Sequence, residues 1–180
     1  MEITRRRAGL MLVVLLGVAV QISIARDNAI RIVQSDAHGL LLEYSPKFLM
    51  SSKVKYRNGE AVRYQLEGGS PLPQQKPGEP ELSVATFIIR FLGIHDNSVE
   101  LVNVEYENEQ NVLLAPEENA QEMNPAAYQR DAFFPQQVAR LAHIGETQGA
   151  ILGDLQICPM QYNPAQRLLR KYSRDRKSVV

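Results

Sequence analysis

The sequence has 180 residues, of which 44% are hydrophobic, and it contains one cysteine and no tryptophan. This length and composition predict one globular domain that can bury an ordinary core, and they exclude a chain that is disordered throughout. The formal net charge is zero, which argues against a nucleic-acid partner because phosphate binding needs a concentrated basic surface.

The first 25 residues have the three parts of a secretory signal peptide. Residues 5–7 are arginines, residues 8–20 are almost wholly apolar, and residues 23–25 form a small-x-small cleavage site. We predict cleavage after Ala25, which leaves residues 26–180 as the mature domain. That domain is then secreted, periplasmic or on the cell surface.

A membrane anchor over residues 8–25 is the alternative interpretation. The run has 18 residues, the lower limit for crossing a bilayer, and Gln21 and Ser23 interrupt its apolar character. Three of the 20 basic and one of the 20 acidic side chains lie in the first 25 residues, so the mature domain carries a net charge near −2. We therefore predict a mature form that binds neither nucleic acid nor membrane.

Two β-hairpins are predicted near the start of the mature domain. Residues 30–35 alternate in polarity, and residues 36–39 indicate a turn into a second strand over residues 40–44. Further on, Asn58-Gly59 is a strong hairpin signal because both residues tolerate positive φ. The runs on either side of this pair are therefore expected to form antiparallel strands.

A loop and then a central strand are expected next. Residues 68–80 hold three glycines and four prolines, which excludes regular structure and predicts a loop within the domain. Residues 82–91 are apolar on both faces, which predicts a central strand of a sheet that is covered on both sides, as in a sandwich. Arg90 is expected to reach solvent from the end of that strand.

The strand predicted over residues 99–107 changes phase. Its apolar residues fall at positions 99 and 101 and then at 102, 104 and 106. One face cannot bury both sets unless the phase slips, so we predict a β-bulge near Val102. The acidic side chains of this segment are expected to face solvent rather than to form a catalytic or metal-binding pair; they are Glu100, Glu105, Glu107 and Glu109.

A polar stretch over residues 116–133 predicts a long excursion from the sheet. A short strand is expected before it at residues 112–114, and one helical turn within it at residues 117–123, ended by Pro125. Long loops inside compact domains are usually functional or disordered. Arg130 is the one Lys or Arg between Arg90 and Arg140.

After this excursion, the spacing of Val138, Leu141 and Ile144 indicates a helical turn. His143 has no second ligand at metal spacing, so we expect a structural histidine and no metal site.

The stretch over residues 145–172 predicts two strands and a turn. Residues 150–158 and 168–172 both alternate in polarity. Between them, Pro159 and Pro164 cannot donate to a ladder and bias the preceding residues to extended conformation, which favours a connection. The two strands are expected to pair as a hairpin.

Cys158 is predicted to be structural. An exported protein with a single cysteine cannot form an internal disulfide, so the fold depends on its core. A nucleophilic cysteine needs a lowered pKa and a positioned base, and His38, His95 and His143 lie in no recognisable catalytic motif. No enzyme and no cofactor are therefore expected.

Two segments carry a resemblance to a known family. The first combines Phe-Pro, Gln-Gly, a β-strand, a P-x-QYNP segment and a basic strand with L-x-x-Y; its positions are Phe134, Pro135, Gln148, Gly149, Pro159, Gln161, Tyr162, Asn163, Pro164, Leu169 and Tyr172. The second is a G-x-P-x-L-x-V strand entry at residues 78–84, with Ser83 where proline is usual. The pattern resembles the propeptide domain that precedes the catalytic domain of gingipain-type cysteine peptidases.

The resemblance implies a non-catalytic domain that extends from about residue 27 to the C-terminus, because the catalytic residues of the family belong to a following domain. It also implies extended chain after residue 133, with Phe133 and Phe134 in the core, so the conformation of residues 134–145 stays open between helical and extended.

In such propeptides a loop lies across the active-site cleft of the cognate peptidase, in some members with a basic side chain in the pocket that recognises a basic substrate residue. Arg130 is the candidate for this role, since a guanidinium in a carboxylate-lined pocket forms charge-assisted, bidentate bonds. The alternative is an ordinary solvated loop arginine.

The fold class expected from these elements is all-β, an antiparallel, jelly-roll-like β-sandwich of about eight strands. The function that the resemblance implies is latency and folding assistance for a cysteine peptidase, in cis or in trans. A stand-alone secreted module that binds a surface polymer or protein is the alternative. The six basic residues between positions 167 and 177 are expected to be a processing site or a frayed, solvated terminus.

Overall fold

The computed structural model describes residues 29–36, 39–56, 59–73, 75–91, 97–117, 120 and 122–179. The predicted signal peptide with Ala25, and also His38 and His95, lie outside these residues. Within them, no helix has the length and apolar character needed to cross a membrane. The elements in chain order are β1 (Ile30–Asp36), β2 (Gly39–Tyr44), β3 (Phe48–Tyr56), β4 (Gly59–Leu66), β5 (Ser70–Pro71), β6 (Ser83–Phe91), β7 (Val99–Glu109), α1 (Pro125–Tyr128), β8 (Ala139–Thr147), β9 (Ala150–Ile157), β10 (Met160–Asn163) and β11 (Leu168–Val179).

These strands form two large sheets and one separate hairpin. The first sheet is built around β11, which pairs with β7 along one edge and with β10 and β2 along the other; β1 then pairs with β2. The second sheet has the order β5-β6-β9-β8, and β3 pairs with β4. All of these pairs are antiparallel, which confirms the predicted fold class. The eleven strands of the described residues outnumber the expected eight, because β5 and β10 are too short to show a period and the segment of β8 stayed open between helical and extended.

Two apolar cores lie inside the molecule. The first core joins the inner faces of the two sheets and consists of Ala29, Ile30, Leu40, Leu42, Tyr44, Leu66, Ala85, Ile89, Phe91, Leu155, Ile157 and Val179. The second core lies where β10 and β11 meet the segments after β5 and β7, and consists of Leu82, Val112, Leu114, Cys158, Met160, Tyr162 and Leu169. Burial of these side chains is the main stabilising term of the fold.

Three sequence predictions are confirmed by strand pairing. Strands β1 and β2 form the first hairpin, and β3 and β4 form the second around the predicted turn. In the β7–β11 pair, Arg176 opposes Asn103 and Lys177 opposes Leu101. Val102 is therefore the extra residue of a β-bulge, as predicted. Val99 packs against the first core, whereas Leu101 is 43% exposed.

The predicted pairing of residues 150–158 with residues 168–172 is wrong. Strand β9 lies between β6 and β8, and the supposed connection contains a strand of its own, β10, which pairs with β11. Pro159 and Pro164 flank this four-residue strand on its two sides, where no ladder donor is needed. Leu155 and Ile157 pack in the first core. Their burial stabilises β9 in the second sheet, between β6 and β8.

Strand β6 is covered on both faces only at its start. Ser83, Val84 and Ala85 are buried, whereas Ile88 on the outer face is 56% exposed. Near Val84 the chain after α1 covers the outer face, and beyond that point the face is open. Arg90 is exposed there, as predicted.

The helical turn begins at Pro125 rather than ending before it. Asn124 caps the turn, since its Oδ1 accepts from the backbone N of Ala126 at 3.1 Å and of Ala127 at 3.4 Å. Proline suits the first turn because it needs no backbone donor there.

Residues 112–114 do not form the predicted strand. Leu114 makes an isolated parallel β-bridge with Val62 instead.

Residues 139–147 form β8, so the extended interpretation of this segment is the correct one. Phe134, at its entry, packs against the second core.

The basic C-terminal segment is not frayed. Residues 168–179 form β11, which is paired on both edges, and Glu107 and Glu105 of β7 oppose Lys171 and Arg174. Glu109 departs from the predicted solvated row of glutamates, because its Oε2 accepts from the Tyr64 hydroxyl at 2.7 Å and lies 2.9 Å from the Lys171 Nζ.

Candidate functional site

The candidate site is the segment over residues 129–137, between α1 and β8, which we call the Arg130 loop. Both of its ends are fixed. Before the loop, the Tyr128 hydroxyl donates to the Leu114 carbonyl at 2.7 Å. After it, the Val138 carbonyl accepts from the Cys158 backbone N at 2.7 Å. The loop is therefore anchored on the second core at its start and at its end.

Arg130 projects its charge from this loop with little restraint. Its Nη2 lies 3.7 Å from Glu79 Oε1, and the side chain of Arg130 is 47% exposed. The guanidinium also lies over the Phe134 ring, 5.8 Å from the ring centroid. An ion pair of this length and exposure contributes little stability, so the arginine is accessible to a partner.

A groove of about 510 Å³ runs beside the loop. Arg130, Phe133 and Phe134 border it on the loop side, and Leu72 borders it on the other. Its lining includes two arginines and no acidic side chain. The groove is thus lined by apolar, amide and cationic side chains, while Glu79 lies on Arg130 outside it.

The QYNP segment, predicted as a family signature, lies against the Arg130 loop. Gln161 is 7% exposed, and its Nε2 donates to the Pro135 carbonyl at 2.7 Å and lies 3.4 Å from the Gln136 carbonyl. Phe134 and Tyr162 exchange two backbone hydrogen bonds, both of 2.9 Å. The motif therefore contacts the loop through backbone and side-chain atoms.

The remaining motif residues shape the turn and the core around it. Tyr162 is 1% exposed; its hydroxyl donates to the Val112 carbonyl at 2.8 Å, and burial raises its pKa. The Pro159 carbonyl accepts from the Tyr172 backbone N at 2.9 Å, and the Pro164 carbonyl accepts from the Arg167 backbone N at 3.1 Å.

Cys158 is a core residue, as predicted. It is 2% exposed, and its Sγ donates to the Met160 carbonyl at 3.2 Å. Burial raises the pKa of the thiol to about 12, which disfavours the thiolate that a nucleophile requires.

His143 is a surface residue. Its side chain is 79% exposed, with Nδ1 3.0 Å from Asp154 Oδ2. Within the described part of the chain, no three His, Cys, Asp or Glu side chains are grouped as metal ligands.

Sequence reasoning missed the polar partners of the loop. Asp131 Oδ1 accepts from the Asn163 Nδ2 at 2.9 Å and from the Gln166 Nε2 at 2.8 Å. Asp131 and Asn163 are 32 positions apart, and no local pattern connects them. The only available signal was the motif that contains Asn163.

Comparisons with known proteins identify the family and the fold. A model of the family described as Propeptide_C25 matches residues 21–179. The fold is similar to a chain of the solved complex of Porphyromonas gingivalis RgpB pro- and mature domains, with a TM-score of 0.75 and 21% identity over 86% of this chain and 84% of that chain.

A structure on the zymogenic latency of gingipain K from Porphyromonas gingivalis is also similar, with a TM-score of 0.68 and 17% identity over 89% of this chain and 96% of that chain. At these identities the structural matches show a shared fold. No curated protein has a significantly similar sequence. On the strength of the family match over nearly its whole length, the chain belongs to the Propeptide_C25 family, as a non-catalytic propeptide of the gingipain type.

Proposed function

We propose that this propeptide docks on the catalytic domain of a gingipain-type cysteine peptidase, keeps that enzyme latent and assists its folding. In this arrangement the Arg130 loop lies across the active-site cleft. The observation that carries the proposal is an accessible arginine on a loop whose two ends are fixed to the core. A fixed loop loses little conformational entropy on binding, so it suits an inhibitor.

The chemistry is that of a substrate-like inhibitor. In a cleft with a carboxylate, the Arg130 guanidinium forms bidentate, charge-assisted bonds that a solvent-exposed pair cannot match. Its present contact with Glu79, at 3.7 Å, is weak enough to be exchanged for such a pocket. When Arg130 leaves, the Glu79 side chain, which is 11% exposed, keeps its hydrogen bond from the Lys76 backbone N at 3.1 Å.

The similar solved structures support a peptidase as the partner. One contains the pro- and mature domains of RgpB as a complex, and the other concerns zymogenic latency in gingipain K. These statements describe the relatives. For the present chain they make the mature domains of RgpB and gingipain K the first partners to test.

The inhibition assay uses residues 26–180 as wild type, Arg130→Ala and Arg31→Ala, with the two mature peptidase domains and a peptide substrate. Arg31 is a matched control, because it is an exposed arginine with a single ion pair, to Glu43 at 2.9 Å. We expect the inhibition constant to rise by about 10- to 100-fold for Arg130→Ala, as for the loss of hydrogen bonds to a charged group. The Arg31→Ala constant should not change.

Equal inhibition by wild type and Arg130→Ala would show that Arg130 is not the anchor. Absence of inhibition by wild type toward both peptidases, and toward a catalytic domain found beside this gene, would contradict the latency function itself.

A second candidate function is a stand-alone secreted module that binds a surface polymer or protein. The observation that favours it is the groove beside Arg130, which combines apolar side chains with two arginines and no acidic residue. Reading the genomic DNA on both sides of this coding sequence separates the two candidates. A peptidase catalytic domain in any frame supports the propeptide function.

Both candidates include export, and we propose that residues 1–25 direct it. The basic and apolar segments and the small residues before position 26 support this proposal. Expression of the full chain in a secreting bacterium, followed by N-terminal sequencing, should give Arg26 as the first residue. An intact N-terminus in the membrane fraction would support the anchor instead.

A further inference from the structure

We infer that Gln161 and Asn163 are positioning residues, which hold the Arg130 loop in the conformation that docks. This inference rests on the proposed function and gives the QYNP segment a physical role in it. Gln161 and Asn163 are 7% and 3% exposed, so they act on a partner through the loop that they hold.

Gln161 connects the core of the first sheet to the loop. The Tyr172 hydroxyl donates to Gln161 Oε1 at 2.6 Å, and this bond orients the amide. Its Nε2 then faces the Pro135 carbonyl at 2.7 Å and the Gln136 carbonyl at 3.4 Å. An amide is suited to this position because it accepts on one side and donates on the other.

Asn163 fixes the loop one residue after Arg130. Its Nδ2 donates to Asp131 Oδ1 at 2.9 Å, and its Oδ1 accepts from the Gln166 backbone N at 3.2 Å. Gln166 Nε2 donates to the same Asp131 oxygen at 2.8 Å. Two donors on one carboxylate oxygen restrict the backbone next to Arg130.

Backbone bonds complete the attachment. The Arg130 carbonyl accepts from the Ala165 backbone N at 3.2 Å, and Phe134 and Tyr162 exchange two bonds of 2.9 Å. The loop therefore has attachments at residues 130, 131, 134, 135 and 136, all of them to residues 161–166.

The side-chain bonds are separable from the strand that bears them. Strand β10 pairs with β11 through its backbone, with Gln161 opposite Arg170 and Asn163 opposite Leu168. Loss of either amide leaves that ladder and the backbone bonds of Arg130 and Phe134 in place, and it loosens the part of the loop that the amide holds. Because a loosened loop loses more conformational entropy on binding, the change should affect docking more than folding.

The first test is hydrogen exchange of residues 130–137 in the free propeptide. Gln161→Met keeps the length of the side chain and removes its donor and acceptor. We expect the loop amides to exchange about tenfold faster, since local opening sets their rate. The matched control is Gln156→Met, because Gln156 is 6% exposed against 7% for Gln161 and bonds Arg140 at 2.8 Å rather than the loop. The loop exchange of this control should equal that of wild type.

The second test is a rescue. Asn163→Asp faces the Asp131 carboxylate with a second carboxylate, while the new Oδ1 still accepts from the Gln166 backbone N. Exchange of the Arg130 and Ala165 amides, which donate to the Ala127 and Arg130 carbonyls, should rise by about tenfold.

Adding Asp131→Asn places an amide donor opposite the new carboxylate, and the exposed Gln166 amide can turn so that its oxygen accepts the second N–H. The double variant should therefore return to the wild-type rate. The amides of β9, which pairs with β6 and β8, should exchange at the wild-type rate in every variant, which shows that each variant is folded.

The third measurement is inhibition of the mature peptidase domains. We expect the inhibition constant to rise by about tenfold for Gln161→Met and Asn163→Asp, which is the loss expected for about one hydrogen bond that preorganises the loop. The double variant should recover wild-type inhibition.

The outcomes separate the two ideas. Unchanged loop exchange in both single variants would overturn the positioning role, and so would faster exchange with unchanged inhibition. Faster exchange in variants of a wild type that inhibits no peptidase would leave the attachment of the loop standing and would contradict the proposed function.

Discussion

The two cores of this propeptide hold different kinds of chain. The first core packs the inner faces of two regular sheets, whose backbone groups pair in ladders. The second core lies under irregular chain, at residues 112–114 and in the Arg130 loop. There, side chains supply the missing partners: the Tyr162 hydroxyl bonds the Val112 carbonyl, and the Tyr128 hydroxyl bonds the Leu114 carbonyl.

The difference follows from the need of every buried backbone group for a hydrogen bond. Where strands provide these bonds, apolar burial alone decides stability. Where they do not, polar side chains decide where the backbone lies. We therefore expect substitutions in the first core to change the free energy of unfolding, and polar substitutions around the second core to change the position of the loop.

The largest expected effect is on the alkylation rate of Cys158, because the second core excludes solvent from its thiol. Burial raises the pKa of Cys158 to about 12, so at pH 8 the native thiolate fraction should be about a thousandfold below that of a free cysteine. Alkylation by iodoacetamide, followed by mass spectrometry, should be slower in the native protein by at least that factor than in urea. Native reaction within tenfold of the urea rate would mean that the second core is open.

The next largest effect is a loss of unfolding free energy caused by a cavity in the first core. Leu155→Ala removes a fully buried side chain, and such changes cost about 2–5 kcal/mol of the free energy of unfolding. Urea unfolding followed by fluorescence or circular dichroism measures the loss. The control is Ile88→Ala on the outer face of β6, where 56% exposure predicts a change below about 0.5 kcal/mol.

If Leu155→Ala also altered inhibition of the mature peptidases in conditions where the variant is folded, the division of roles between the two cores would be wrong.

Removal of the Tyr162 hydroxyl in the second core is expected to lower the free energy of unfolding by a smaller amount. Tyr162→Phe leaves the Val112 carbonyl without its 2.8 Å partner, which costs about 1–3 kcal/mol for an unsatisfied buried group. Tyr106→Phe serves as the control, since the ring contacts of Tyr106 with Tyr172 and Arg170 survive the change. Equal unfolding free energies for these two variants would show that residues 112–114 do not depend on the Tyr162 hydroxyl.

The comparison of the two cores also explains what the sequence could predict. The β3–β4 hairpin and the bulge at Val102 were found because turn residues and a change of phase are local signals. The partners of β9 and the existence of β10 were missed, since both depend on contacts between distant segments. Pro125 was assigned the wrong role, because a proline both ends and begins helices and only the Asn124 cap distinguishes the two.

The site divides in the same way. Arg130 was identified through a family resemblance and its isolation among uncharged and acidic residues, and the structure places it on an accessible loop. The attachment of that loop by Gln161 and Asn163 was not predicted, because the bonds span 26 and 32 positions. A motif marks which residues matter, and only the fold shows what they touch.

A still smaller effect is the loss of the stabilising contribution of Glu109 as the pH falls. Burial by itself raises the pKa of Glu109, but hydrogen bonds from Tyr64 and Lys171 and the charge of Lys171 outweigh it and hold the pKa below its usual value. A lowered folded pKa contributes stability above the unfolded pKa, and this contribution is lost as pH falls through the folded pKa. Glu109 is 42% exposed, so the contribution at pH 7 should stay below about 1 kcal/mol.

Glu109→Gln tests this sign. The variant should be less stable than wild type at pH 7, and the difference should disappear as the pH falls below about 4, where the wild-type carboxyl gains its proton. Urea unfolding at a series of pH values gives both curves. A stability difference between the two proteins that grows in acid would mean that folding raises the pKa of Glu109 rather than lowering it.

The smallest effect belongs to the exposed pair Lys53–Glu60 on the β3–β4 hairpin. The Lys53 Nζ lies 3.0 Å from Glu60 Oε2, nearly the same distance as the Lys171–Glu109 contact, but both side chains are more than half exposed. Solvent screening and the entropy of two long side chains leave such a pair with a stabilising free energy of only a few tenths of a kcal/mol.

A double-mutant cycle with Lys53→Ala and Glu60→Ala should therefore give a coupling energy below about 0.5 kcal/mol. The corresponding cycle for Lys171 and Glu109 should give a larger one, because these side chains are 25% and 42% exposed against 74% and 55%, and water screens them less. Equal coupling energies in the two cycles would mean that burial around the second core does not strengthen its polar contacts, and the explanation of how that core holds the Arg130 loop would lose its physical basis.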